Sequence, residues 1–105
     1  MNYEEILDAL ETGNMRAASP TQDGWVVNLE VKQAILQSFK EGVNTSYEGI
    51  YEGFVDKHNL SPRYFRPEDQ VRLVPGGSSV RRGAYLAPSV IVMPPAYVNV
   101  GAYVG

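Results

Sequence analysis

Val80, Leu86, Val92, Val98 and Val104 recur at every sixth position of the carboxy-terminal stretch, and Val74 extends the series one step back through VPGGSS. Two places ahead of each stands Ser78, Ala84, Val90, Ala96 or Ala102, and directly ahead Ser79, Tyr85, Ile91, Tyr97 or Tyr103. Amphipathic helices repeat near 3.6 residues and half-buried strands near 2, so neither generates a strict six. A six-residue period is that of a parallel β-helix. Each hexad supplies one short strand and a corner, with the branched aliphatic residue inside. Three hexads close a coil, so residues eighteen apart stack at about 4.8 Å. The expected pairs are Val74 on Val92, Val80 on Val98 and Leu86 on Val104. Gly83, Gly101, Pro75, Pro88, Pro94 and Pro95 fall where corners are needed, and there their dihedral preferences cost least.

Ahead of the repeat the periodicity changes. Asn2 with Glu5 forms a capping-box pattern, Ile6, Leu7 and Leu10 supply an apolar stripe, and Gly13 follows, which predicts a short first helix. Gly24 to Val27 reads as a strand leading to Asn28, a cap for a second helix from Leu29 to about Lys40. Val31, Ala34, Ile35 and Phe39 form the buried face of that helix, and Gly42 closes it. From Val43 to Asp69, glycine, proline and tyrosine interrupt every pattern, leaving irregular structure with one strand around Ile50 to Val55. The expected organisation is a mixed α/β head, residues 1–71, followed by the first coils of a parallel β-helix, residues 72–105.

Composition removes several function classes. In 105 residues, 44% apolar and 20% charged content is that of a globular chain. Nine basic against twelve acidic residues leave a net charge of -3, with no Lys/Arg stripe, so neither nucleic acid nor an anionic membrane is an expected partner. There is no cysteine, hence no disulfide or thiolate chemistry. MNYEEILDAL carries three acidic residues and no basic region, unlike a signal peptide, and a cytoplasmic location is expected.

Chemical motifs are sparse. His58 has no second histidine or cysteine to share a metal, so no metal site is expected and His58 reads as an exposed loop residue. Glu48 with Glu52, and Glu4 with Glu5, read as solvent-facing carboxylates. Neither a nucleophile elbow, nor a phosphate loop, nor a dinucleotide fingerprint occurs. Arg81 and Arg82 occupy outward hexad positions and are expected to face solvent, or else a phosphate or a neighbouring subunit.

Two blocks of sequence resemble a known family. RLVPGGSSVRRGAYLAPSVIVMPPAYVNVGAYVG, and within it VMPPAYVNVGAYV, is similar to the VLMPSYVNIGAYV stretch at the entry to the left-handed β-helix of the tetrahydrodipicolinate N-succinyltransferases. LDALETGNMRAASPTQDGWVVNLEVKQAILQSF resembles the same family's pattern LDSGxLRVAEK followed by GxWxVNxWVKKAVLLSF. The resemblance implies a left-handed β-helix, and transfer of succinyl from succinyl-CoA, the co-substrate, to the amine of ring-opened tetrahydrodipicolinate. It also implies a homotrimer with active sites between neighbouring helices, and catalytic acids in coils beyond Gly105. This chain would then be an amino-terminal piece of the enzyme, without catalytic residues and inactive alone. Arg72, in QVRLVP, matches the arginine of the family's FRVVP that binds a carboxylate of the acceptor. Nothing in the sequence assigns residues to the co-substrate. Another hexapeptide-repeat enzyme, an acetyltransferase or a carbonic anhydrase, also fits the period, although the repeat has no histidine for the latter. A non-catalytic assembly module fits it too.

Overall fold

Asn2 caps the first helix by the expected exchange. Its side-chain oxygen accepts from the Glu5 backbone N–H at 2.9 Å, and the Glu5 carboxylate accepts from the Asn2 N–H at 3.4 Å. In the computed structural model, which describes residues 1–105, helix α1 spans Tyr3–Thr12 and ends at Gly13 in the left-handed conformation. Asn28 caps helix α2, Leu29–Glu41, by accepting from the Val31 N–H at 3.3 Å. Val31 and Ala34 are buried and Ile35 and Phe39 half-buried, which is the predicted face. The two helices pack into one core of Ile6, Leu7, Leu10, Val31, Ala34 and Leu60. Neither helix is long and apolar enough to cross a membrane.

Between the helices lies a hairpin of β1, Ala18–Thr21, and β2, Gly24–Val27, antiparallel with Ala18 opposite Val27. The expected strand at Gly24 to Val27 is β2. Its partner β1, the polar and proline-containing ASPT, carries no alternation by which to be recognised. After α2, strands β3, Asn44–Ser46, and β4, Val55–Lys57, pair antiparallel. The strand expected around Ile50 to Val55 does not form. Gly49–Tyr51 is a single 3-10 turn, and Gly49 and Gly53 both adopt positive φ, which reverses the chain and delays the strand until Val55.

The remaining strands are two residues each and pair in parallel at long separation. They are β5, Arg72–Leu73; β6, Ser79–Val80; β7, Tyr85–Leu86; β8, Ile91–Val92; β9, Tyr97–Val98; and β10, Tyr103–Val104. Val80 sits on Val98 and Leu86 on Val104, at the expected spacing of eighteen. The third pair is shifted. Leu73, rather than Val74, is registered with Val92, a separation of nineteen. The corner that follows contains Gly76 and Gly77, both at positive φ, and takes up the extra residue, so Val74 leaves the inward series. Leu73 packs against the second core, of Val71, Val80, Ala84, Leu86 and Val92, and Val74 does not.

Head and ladders are joined closely. Residues 61–63 run along the free edge of β6: the Arg63 N–H donates to the Val80 carbonyl at 2.7 Å and the Arg82 N–H to the Ser61 carbonyl at 2.9 Å. Val100, beyond β9, packs against the helical core. Gly83 marks the tightest point. At φ 89°, its position would bring a Cβ to 2.7 Å from Val100 Cγ2 and 3.2 Å from Leu7 Cδ2, so only glycine allows helix α1 to approach this corner.

Candidate functional site

Strand alternation decides which way Arg72 points. Val71 and Leu73 turn into the second core, so Arg72 between them is exposed, while its backbone stays fixed by a 3.0 Å bond from its N–H to the Val90 carbonyl. Its neighbourhood is a groove of about 610 Å³ between β5 and the segment 63–67. Tyr51, Tyr64, Phe65 and Pro67 supply apolar wall, with the Tyr51 and Tyr64 ring centroids 6.0 Å apart. Three arginines, Arg63, Arg66 and Arg72, line the groove, and no aspartate or glutamate does. In a chain of net charge -3 this is a local reversal of sign.

The three guanidinium groups are not equivalent. Arg63 is already engaged: Nη1 donates to the Ala84 carbonyl at 2.7 Å, Nε lies 3.7 Å from the Glu11 carboxylate, and the group sits 4.6 Å from the Phe65 ring centroid. Arg66 and Arg72 make no side-chain hydrogen bond or ion pair and remain available to an anion. Arg66 begins the single 3-10 turn Pro67–Asp69, where the Asp69 carboxylate accepts the Arg66 backbone N–H at 2.9 Å. Gln70 ends that turn in the left-handed conformation, and its carbonyl accepts from the Ser89 N–H at 2.7 Å, which ties the turn to the ladders.

Arg81 and Arg82 do not face outward as the hexad pattern predicts. Arg81 is buried. It donates to the Asp56 carboxylate, to the Leu60 carbonyl at 3.3 Å and to Asn99 Oδ1 at 3.2 Å, with its guanidinium 5.0 Å from the Phe39 ring centroid. Arg82 donates to the Asn59 carbonyl at 3.0 Å and to Glu4 at 2.8 Å. The hydrogen bond from Arg82 holds the Glu4 carboxyl below the usual carboxylate range, against a smaller opposing effect of burial. Both arginines are internal ties because the head covers the side of the ladder from which they project.

The other candidates stay apart from the groove around Arg72. His58 is exposed, as expected, and its Nδ1 accepts from the Val43 N–H at 3.1 Å. Glu48 and Glu52 line a separate depression near Gly53. A second groove of about 490 Å³ lies between the β3–β4 hairpin and β6, bounded by Tyr47, Tyr51, Phe54 and Tyr97. Burial and the nearby Asp56 push the Tyr47 phenol above its ordinary value, so it stays a neutral donor to the Lys57 carbonyl at 2.9 Å. Sequence reasoning named Arg72, through the family resemblance, and did not name Arg63 or Arg66, which line the same groove. They stand in an irregular segment, where no period marks a shared face.

Residues 3–40 match the family described as tetrahydrodipicolinate N-succinyltransferase N-terminal. The 2,3,4,5-tetrahydropyridine-2,6-dicarboxylate N-succinyltransferase of Nitrosococcus oceani is 45% identical over 95 residues, covering 86% of this chain and 34% of that protein. The enzyme of the same name from Paramagnetospirillum magneticum is 41% identical over 115 residues, covering 97% of this chain and 38% of its own length. That of Acinetobacter baylyi is 39% identical over 106 residues, covering 96% and 38%. The chain thus spans little more than a third of the curated relatives it matches.

Proposed function

Because this chain matches the amino-terminal portion of tetrahydrodipicolinate N-succinyltransferases along most of its length, we propose that it forms the acceptor-binding head and first repeat coils of such an enzyme. The reaction is an acyl transfer. The acceptor amine attacks the thioester carbonyl of succinyl-CoA, a C–N bond replaces the C–S bond, the amine gives up a proton, and CoA leaves as a thiol. The enzyme is a cytoplasmic homotrimer with succinyl-CoA as co-substrate and sites between neighbouring subunits.

In this reading the three parallel ladders are the opening coils of a left-handed β-helix. Residues 1–71 are the head and 72–105 the coils; two cores support this division, with Phe65 and Val71 of the head packing on the second and Val100 of the coils on the first. Arg72 holds one carboxylate of the acceptor. The observation that carries this role is the partner-free guanidinium of Arg72 on the rim of a groove without carboxylates. A planar guanidinium matches a carboxylate through two parallel hydrogen bonds, which an ammonium cannot copy. No acidic residue occurs between Val71 and Gly105, so these coils contribute an anchor to the reaction and no general base.

Arg72→Lys tests the assignment in an enzyme that continues past these coils. The KM for the acceptor should rise about tenfold while that for succinyl-CoA stays unchanged. Equal weakening of both substrates would assign Arg72 to folding instead. The 105-residue chain alone should release no thiol from succinyl-CoA above the uncatalysed rate.

A further inference from the structure

We propose that Arg66 is a second carboxylate anchor in the Arg72 groove, and that the two arginines together select a dicarboxylate over a monocarboxylate. This deepens the reading of Arg72 given above and rests on it. Of the six arginines in the chain, Arg63, Arg81 and Arg82 pair with carboxylates. Arg16 lies over the Tyr103 ring at 3.7 Å from its centroid. The two that have neither a carboxylate nor a ring are Arg66 and Arg72, and both line one groove. Glu68 and Asp69 follow Arg66 in sequence and neither lines this groove. Asp69 is turned back onto the Arg66 backbone N–H, and it borders, with Glu11, a neighbouring depression that Arg66 also reaches without forming an ion pair.

Two like charges on one concave wall, without a counter-ion from the chain, raise the local potential and favour an anion there. The backbones that carry them are fixed. Pro67 and the Asp69 clamp restrain Arg66, and Gln70, tied to Ser89, joins that turn to the strand bearing Arg72. Their backbone separation is therefore set by the fold, and a ligand whose two carboxylates span it would meet both. Once one carboxylate is held, the second binds at high effective concentration, so two-point attachment exceeds either contact alone. A monocarboxylate engages a single guanidinium and gains only the screened field of the other. The relatives act on a 2,6-dicarboxylate, a ligand of the chemistry that such a pair discriminates.

The test titrates the isotope-labelled chain at low ionic strength with pimelate, a seven-carbon dicarboxylate, and with hexanoate, while the arginine Nε–H resonances are followed. Pimelate should bind about tenfold more tightly than hexanoate. Arg66→Gln should reduce pimelate to the level of hexanoate while weakening hexanoate far less, and Arg72→Gln should abolish both. Both side chains are exposed, so neither variant disturbs a core, and an unchanged backbone amide spectrum checks this. If Arg66→Gln keeps the full preference for pimelate while Arg72→Gln loses binding, the role of Arg66 is overturned and that of Arg72 stands. If Arg72→Gln binds both anions as the parent does, the Arg72 reading fails and this one with it. Equal binding of pimelate and hexanoate by the parent chain overturns the pair as a selector.

Discussion

Arg81 shows how one side chain can hold two parts of the chain in place. Its guanidinium serves a carboxylate on β4, a backbone carbonyl of the head and an amide oxygen beyond β9, and it covers the Phe39 ring. Removing it would strand the Leu60 carbonyl and leave Asp56 without its partner. Arg81→Ala should therefore cost about 2 to 3 kcal/mol in urea unfolding, and Arg81→Lys should recover less than half, since one ammonium cannot reach all three acceptors. A loss within about 0.5 kcal/mol would mean that water replaces these bonds freely. Gly42 is fixed by a different constraint. A Cβ there would collide with Asn59 Oδ1 and crowd the Ser38 carbonyl, whose partner is the Asn59 amide at 2.9 Å.

At the scale of elements, the helices obey local rules and the ladders obey register. Both helix starts were legible because capping is a contact between residues three apart, Asn2 with Glu5 and Asn28 with Val31. The ladder from Val80 onward was legible for a similar reason, because a strict period projects the same residue inward at every step. The first step broke the period. Two adjacent glycines allow a corner one residue longer, and a hexad count cannot detect that without knowing their dihedrals. The consequence can be measured: Leu73→Ala should destabilise by about 1 to 2 kcal/mol, whereas Val74→Ala should change stability by less than about 0.5 kcal/mol. The opposite ranking in thermal or denaturant unfolding would restore Val74 to the inward series.

For the whole molecule, the question is whether head and ladders open together. They have separate cores, yet Val100 packs into the head, the 61–63 segment zips onto β6, and the Glu11 carboxylate accepts the Gly83 N–H at 3.1 Å. Bonds of this number across one boundary favour a single cooperative unit. Native-state hydrogen exchange should accordingly give the Arg81 and Tyr85 amides, both bonded within the ladders, the same opening free energy as the interior amides of α1. Earlier exchange of the ladder amides as a group would make residues 72–105 an independently opening unit.

By itself the sequence determined what depends on near neighbours or on a fixed period: two capped helices with their buried faces, the strand before Asn28, and the eighteen-residue stacking of Val80 on Val98 and Leu86 on Val104. It also singled out Arg72, through a resemblance carried by contiguous motifs. Only the tertiary structure decided what a face is covered by. Arg81 and Arg82 occupy outward positions of the repeat, and whether outward means solvent or protein depends on a head that lies more than twenty residues away in sequence. The groove shared by Arg66 and Arg72 likewise exists because an irregular turn and a strand are brought side by side. Periodicity records which side of the backbone a residue leaves from; what it meets there is set by packing between segments that share no period.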